Sequence, residues 1–124
     1  MKSLTFRFEP HPEAMILHLR GDAGLGGIDE LARAAKSAAA GEPDALIIEA
    51  SGLSYIGSMG VGVIIGLRNS VHARGGRVSI AGCTVEVDRL MRFLRIDHLM
   101  PMHATLAEAL AATAQAAGER VGAL

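Results

Sequence analysis

The sequence predicts a single α/β domain built on a mixed sheet of four to five strands, with an antiparallel pair at the N-terminus and helices on one face. Two segments with strand alternation open the chain and are joined by a short proline-bearing connection, after which strand-like and helix-like patterns alternate to the end. Each strand also keeps a polar row, Arg7, His18, Glu49 and Ser79, whereas strands covered on both faces would be apolar throughout. Right-handed crossovers stepping in one direction then gather the helices on the other face. At 124 residues the chain is one domain, able to bury about two-thirds of its unfolded surface. Hydrophobic residues make up 50% but aromatic ones only 3%, so the core is aliphatic and alanine-rich. Residues 1–117 carry the domain pattern, and 118–124 read as a frayed tail.

Taken in order, Leu4, Phe6 and Phe8 alternate with Thr5, Arg7 and Glu9, and beyond Pro10 and Pro12 the residues Met15, Leu17 and Leu19 alternate with Ile16, His18 and Arg20. That is the period of half-buried strands. Gly21 to Gly27 reads as a loop. Ile28, Leu31, Ala32, Ala35 and Ala39 then share a helical face, with Asp29 and Arg33 paired at i, i+4 on the other. Ala45 to Glu49 is a short apolar strand, closed by the turn signals Ser51-Gly52 and Gly57-Ser58. After the following helix, Gly75-Gly76 supplies a stop, and Val78 and Ile80 alternate with Arg77 and Ser79. Thr84 caps a helix with Val87, Leu90, Met91 and Leu94 inward and Arg89, Arg92 and Arg95 outward. Pro101 to His103 forms a short last strand. Thr105-Leu106-Ala107-Glu108 fits a capping box that opens the final helix.

The stretch LIIEASGLSYIGSMGVGVIIGLR, residues 46–68, organises the rest. Ser58 stands at the expected N-cap of its helix, its hydroxyl able to accept from free N–H groups of the first turn. Counting from Ser58 at about 100° per residue, Val63, Leu67, Val71 and Ile64 fall between about 140° and 240°, which defines the core face. Val61 and Ile65 fall on the other side, beside Ser58, Asn69 and His72. Gly60, Gly62 and Gly66 each cost about 1 kcal/mol relative to alanine in a helix interior. Gly60 points inward and lets the helix approach the sheet, while Gly62 and Gly66 point outward, where a flat surface for another protein would use them. The residues expected to meet a partner are Gly57, Met59, Val61, Gly62, Ile65 and Asn69.

Composition narrows the function. A formal net charge of −1 argues against binding nucleic acid by phosphate neutralisation. No apolar run approaches a membrane span, and the N-terminus reads as charged from Lys2 onward rather than as a signal sequence, so the expected location is cytoplasmic, with no direct membrane insertion. The single Cys83 allows no intrachain disulfide. His11, His18, His72, His98 and His103 lack ligand spacing, so no metal is expected. Gly24-Leu25-Gly26-Gly27 has Asp29 where a dinucleotide fingerprint needs its third glycine, and no phosphate-binding loop is present, so no cofactor is expected either. Gly57-Ser58-Met59-Gly60 is not a nucleophile elbow, because Ile56 occupies the position of its first glycine. Asp88 and His98 follow Ser58 in a formal triad order but have independent explanations, and an enzyme is not expected. Arg89, Arg92 and Arg95, balanced by Asp88 and Asp97, read as a solvated face. The open sheet face and the alanine-rich last helix are the surfaces on which a homodimer would form.

The segment IIEASGLSYIGSMGVGVIIGLRNSVHARGGRVSIAG, residues 47–82, resembles the STAS domains, named for sulfate transporters and anti-sigma-factor antagonists. The likeness extends from the paired N-terminal strands to the TLAEAL helix. In that family a strand leads to a serine or threonine at the start of a helix, and a GG-containing strand entry follows. Ser58 resembles the phosphoacceptor of the anti-sigma-factor antagonists. The resemblance implies partner switching: the unphosphorylated protein binds an anti-sigma factor that is also its serine kinase, and phosphorylation releases it. Gly57 stands where the family has an acidic residue, Met59 where it has a second hydroxyl, and Glu49-Ala50-Ser51 replaces an Asp-x-Ser pattern. Members that are never phosphorylated, including subunits of transport systems, drift at the same positions, which gives the alternative of a constitutive subunit in a transporter or multi-protein signalling assembly.

Overall fold

The computed structural model describes residues 4–122. The alternating N-terminal segments form β1 (Leu4–Pro10) and β2 (Met15–Ala23), followed by α1 (Ile28–Ala40), β3 (Ala45–Ile56), α2 (Ser58–Ala73), β4 (Arg77–Ala81), α3 (Val85–Phe93), β5 (Met102–His103) and α4 (Leu106–Gly122). Single 3-10 turns lie at Leu25–Gly27 and Ile96–His98. Among the described residues there is one five-stranded sheet in sequential order β1-β2-β3-β4-β5. The first pair is antiparallel and the rest are parallel, as the sequence predicts.

The main core lies on one face. Leu17 and Leu19 of β2 and Leu46, Ile48 and Ala50 of β3 pack with Leu31, Ala34 and Ala38 of α1, Ile64, Leu67 and Val71 of α2, and Val87 and Met91 of α3. In α1 the buried stripe runs through Ala34 and Ala38, so Ala32 is exposed, and Arg33 pairs with Glu30 at 3.4 Å rather than with Asp29. Thr84 caps α3, its hydroxyl accepting from the Val87 N–H at 3.4 Å. Thr105 caps α4 in the same way, accepting from the Glu108 N–H at 3.1 Å.

Three further features depart from expectation. First, the helices do not all share one face. Ile47, in the opposite phase of β3, clusters with Ala14, Ala81 and Ala109, with Leu106 and Leu110 packed against them. Thus α4 covers one end of the face expected to be open, because Ala45, Ile47 and Ala81 interrupt its polar row and offer α4 an apolar seat. Second, β3 does not stop at Glu49. Its Ser51-Gly52 signal is absorbed by register shifts against β2, between His18/Arg20 and between Gly21/Asp22, as bulges allow. Leu53 and Ile56 remain buried, and the strand runs on to Ile56. Third, α4 continues to Gly122, past the expected boundary at 118; residues 123–124 of that tail lie outside the described residues. Among the described residues no helix is long and apolar enough to cross a membrane.

Candidate functional site

The extended β3 ends beside the end of β2, where the Gly57 N–H donates to the Ala23 carbonyl at 3.2 Å. Gly57, in extended conformation (φ −92°, ψ 174°), is the N-cap of α2, and Ser58 is the first helical residue. The expected N-cap role of Ser58 is therefore corrected by one position. The glycine takes the cap because its extended backbone continues the strand, and it brings no side-chain cap hydrogen bond. The Ser58 side chain is exposed.

Close approach fixes this junction. A Cβ on Gly60 would lie 2.8 Å from Ile56 Cγ1 and 3.0 Å from the Ala23 carbonyl oxygen, so the inward glycine lets α2 sit against the β2 and β3 ends. The Asp22 carboxylate accepts from the Gly24 N–H at 2.7 Å, and a Cβ on Gly24 would meet the Tyr55 ring at 3.2 Å. Gly62 and Gly66 are exposed, with open space where a Cβ would stand.

Around the Ser58 hydroxyl the chain sets three large apolar side chains in solvent: Leu25 at 83% exposure, Met59 at 60% and Tyr55 at 53%. With Ala23, Gly24, Gly57 and Gly60 they line a shallow depression of about 210 Å³. None of its lining residues is charged, and none is a histidine or a carboxylate that could act as a base toward Ser58. Of the residues predicted for a partner, Gly57 and Met59 flank Ser58 directly. Gly62 and Asn69 are exposed further along α2, and Ile65 is half-buried. Val61 departs from expectation: it is only 4% exposed and belongs to the main core. The buried arc of α2 runs from Leu67 to Val61, about 180° to 300° on the count from Ser58, which leaves Val63 half-buried instead. Leu25 and Tyr55 went unpredicted. Tyr55 was legible only by continuing β3 to Leu53 and Ile56; the shift between Gly21 and Asp22 turns both Ser54 and Tyr55 outward.

The fold and site define a small α/β module that presents an exposed serine at a helix start, ringed by apolar side chains. The STAS domain family model matches residues 5–109, and the chain belongs to that family. It is 27% identical over 115 residues to the anti-sigma-F factor antagonist RsfA of Mycobacterium tuberculosis, covering 90% of this chain and 88% of the relative. Its fold is similar to the crystal structure of an anti-sigma factor antagonist from Mycobacterium paratuberculosis (TM-score 0.83, 22% identity, 90% of this chain and 95% of that one). It is also similar to the Bacillus cell fate determinant SpoIIAA in its phosphorylated form (TM-score 0.65, 23% identity, 86% and 96%).

Proposed function

We propose that the chain is an anti-sigma-factor antagonist that works by partner switching: it docks an anti-sigma factor that is also its serine kinase, and phosphorylation of Ser58 releases the partner. The observation that carries this reading is the exposed, uncapped Ser58 hydroxyl on the first turn of α2, inside the ring of Leu25, Tyr55 and Met59. A phosphate there carries nearly two negative charges and meets the positive end of the helix, so the fold tolerates it. Docking an apolar surface over the same ring would strip water from that dianion, and the partner is therefore expelled. The names of the relatives and of the fold neighbours support the same class.

Gly57, Met59, Gly62, Ile65 and Asn69, together with Leu25 and Tyr55, form the proposed contact surface; Val61 serves it only by supporting the helix from within. The test is incubation with a kinase-type anti-sigma factor and ATP, followed by intact-mass measurement. One added phosphate on the wild type and none on Ser58→Ala is expected, and an unmodified wild type refutes the switch. Gly57 and Met59, which depart from the phosphoacceptor pattern, favour a second reading as a constitutive STAS subunit of a transporter or signalling assembly. On that reading Ser58→Ala and Ser58→Asp bind the partner equally, whereas on the leading one Ser58→Asp loses it.

A further inference from the structure

We propose that the polar concavity on the sheet face opposite α1–α3 binds a small organic anion, a phosphate or carboxylate that also carries a hydroxyl or amine. This site is separate from Ser58 and does not depend on the switch. The concavity is about 740 Å³, larger than the depression at Ser58, and its floor is the outward phase of β1, β2 and β3 with Leu106 of α4 at its margin. The sheet register pairs Arg7 with His18 and Thr5 with Arg20, so the two arginines are diagonal neighbours on one face, about 7–8 Å apart at their Cα atoms. Like charges so placed repel unless an anion lies between them.

Their neutralisation within the protein is incomplete. Arg7 reaches the Glu9 carboxylate only at 4.0 Å, and Arg20 makes no ion pair or side-chain hydrogen bond among the described residues. The nearby carboxylates, Glu49 in the lining and Glu9 beside it, are partly engaged. The His18 ring lies 2.6 Å from Glu9 Oε1 and 3.7 Å from Glu49 Oε1, and the Ser51 hydroxyl donates to Glu49 at 2.9 Å. The floor is thus divided. Two guanidiniums lie open on the β1–β2 side, each a planar fork able to meet two oxygens of a phosphate or carboxylate. On the β3 side, Glu49 keeps acceptor capacity for a hydroxyl or amine on the same molecule. The register shift between His18 and Arg20 sets Gly52 opposite Arg20, so no side chain of β3 stands in the way of the guanidinium there.

The test is an amide chemical-shift titration of the full chain with inorganic phosphate, glycerol 1-phosphate and succinate in separate arms, each against sodium chloride at matched ionic strength. Saturable shifts at Arg7, His18, Arg20 and Ser51 are expected, with glycerol 1-phosphate half-saturating at lower concentration than inorganic phosphate. The phosphate and succinate arms decide which acid the site prefers. The double substitution Arg7→Gln, Arg20→Gln should raise the half-saturation concentration at least tenfold, while Arg89→Gln, on α3, leaves it unchanged. Both arginines are solvent-facing, so the variants should keep the wild-type circular dichroism. Shifts that follow ionic strength without saturating, or saturation that survives the double substitution, would overturn the proposal.

Discussion

The glycines of α2 allow one chemical change, Gly→Ala, to be made three times in one helix with opposite outcomes. At Gly62 and Gly66 an added methyl meets nothing within 4 Å, so alanine brings only its lower backbone entropy in the unfolded chain and better helix propensity. Each substitution should stabilise by about 0.5–1 kcal/mol. For a domain of this size that raises Tm by roughly 2–5 °C. At Gly60 the same methyl would lie 2.8 Å from Ile56 Cγ1 and 3.0 Å from the Ala23 carbonyl oxygen. Ile56 is fully buried and the oxygen belongs to the backbone, so neither yields readily. Overpacking costs about 1–3 kcal/mol, which outweighs the propensity gain, and Gly60→Ala should be destabilising by about 1–2 kcal/mol. Urea denaturation with a common m-value measures all three. If Gly62→Ala and Gly66→Ala prove neutral or destabilising, or if Gly60→Ala stabilises, the placement of this helix on the sheet is wrong.

Other outcomes follow from single side chains. Val61→Ala should destabilise by about 1–3 kcal/mol because it opens a cavity in the main core, whereas Phe93→Ser, at a position 83% exposed, should change stability by under about 0.5 kcal/mol; thermal denaturation separates them. A hydrogen bond from His18 holds the Glu9 carboxyl below its ordinary 4.5. The native state therefore binds that proton less readily than the unfolded chain, so the contribution is present above the ordinary value and is lost as pH falls through the lowered one. Glu9→Gln should flatten the acid limb of the stability profile, and an unchanged limb would count against the pair. Burial, with Asp88 adding to it, pushes the Cys83 thiol up from 9.0 to about 11. Its thiolate at neutral pH is then about a hundredfold scarcer than in an ordinary thiol. Labelling by a thiol reagent should be slow at pH 7.5 and accelerate up to pH 11. The same shift contributes stability below pH 9 that fades as pH rises toward 11.

The sheet was legible because β1 and β2 alternate and are joined by a short proline-bearing turn, and because strand and helix patterns then follow one another in turn. Thr84 and Thr105 announced two helix starts through their own chemistry. What escaped was set by neighbours in space. The turn signal at Ser51-Gly52 holds in isolation, but β2 runs alongside to Ala23 and β3 bulges against it, so Gly52 pairs with Arg20 and the strand continues; tertiary pairing overrides local propensity. Tyr55 lies in the same continuation of β3. Val61 was misplaced because helical periodicity gives the spacing of apolar residues but not the centre of the buried arc, which is set by what packs on either side. The seat of α4 escapes a reading of one polar row along the sheet face, because Ile47 and Ala81 break that row. The candidate serine was found from its position between strand and helix; its apolar ring was not, since Leu25 and Tyr55 come from two other segments.

The parallel partner of β3 on its far side ends early: β4 pairs only with Ala45–Glu49, while β2 stays paired through Ile56. Past the end of β4, the chain before Ser58 is therefore carried on β3 and β2, with Leu4–Phe6 of β1 paired alongside β2, like a pedestal. An incoming protein can close over the helix tip without first meeting β4. If a partner docks there as proposed, substitutions that loosen the β1–β2 hairpin beneath it should weaken recognition at a distance.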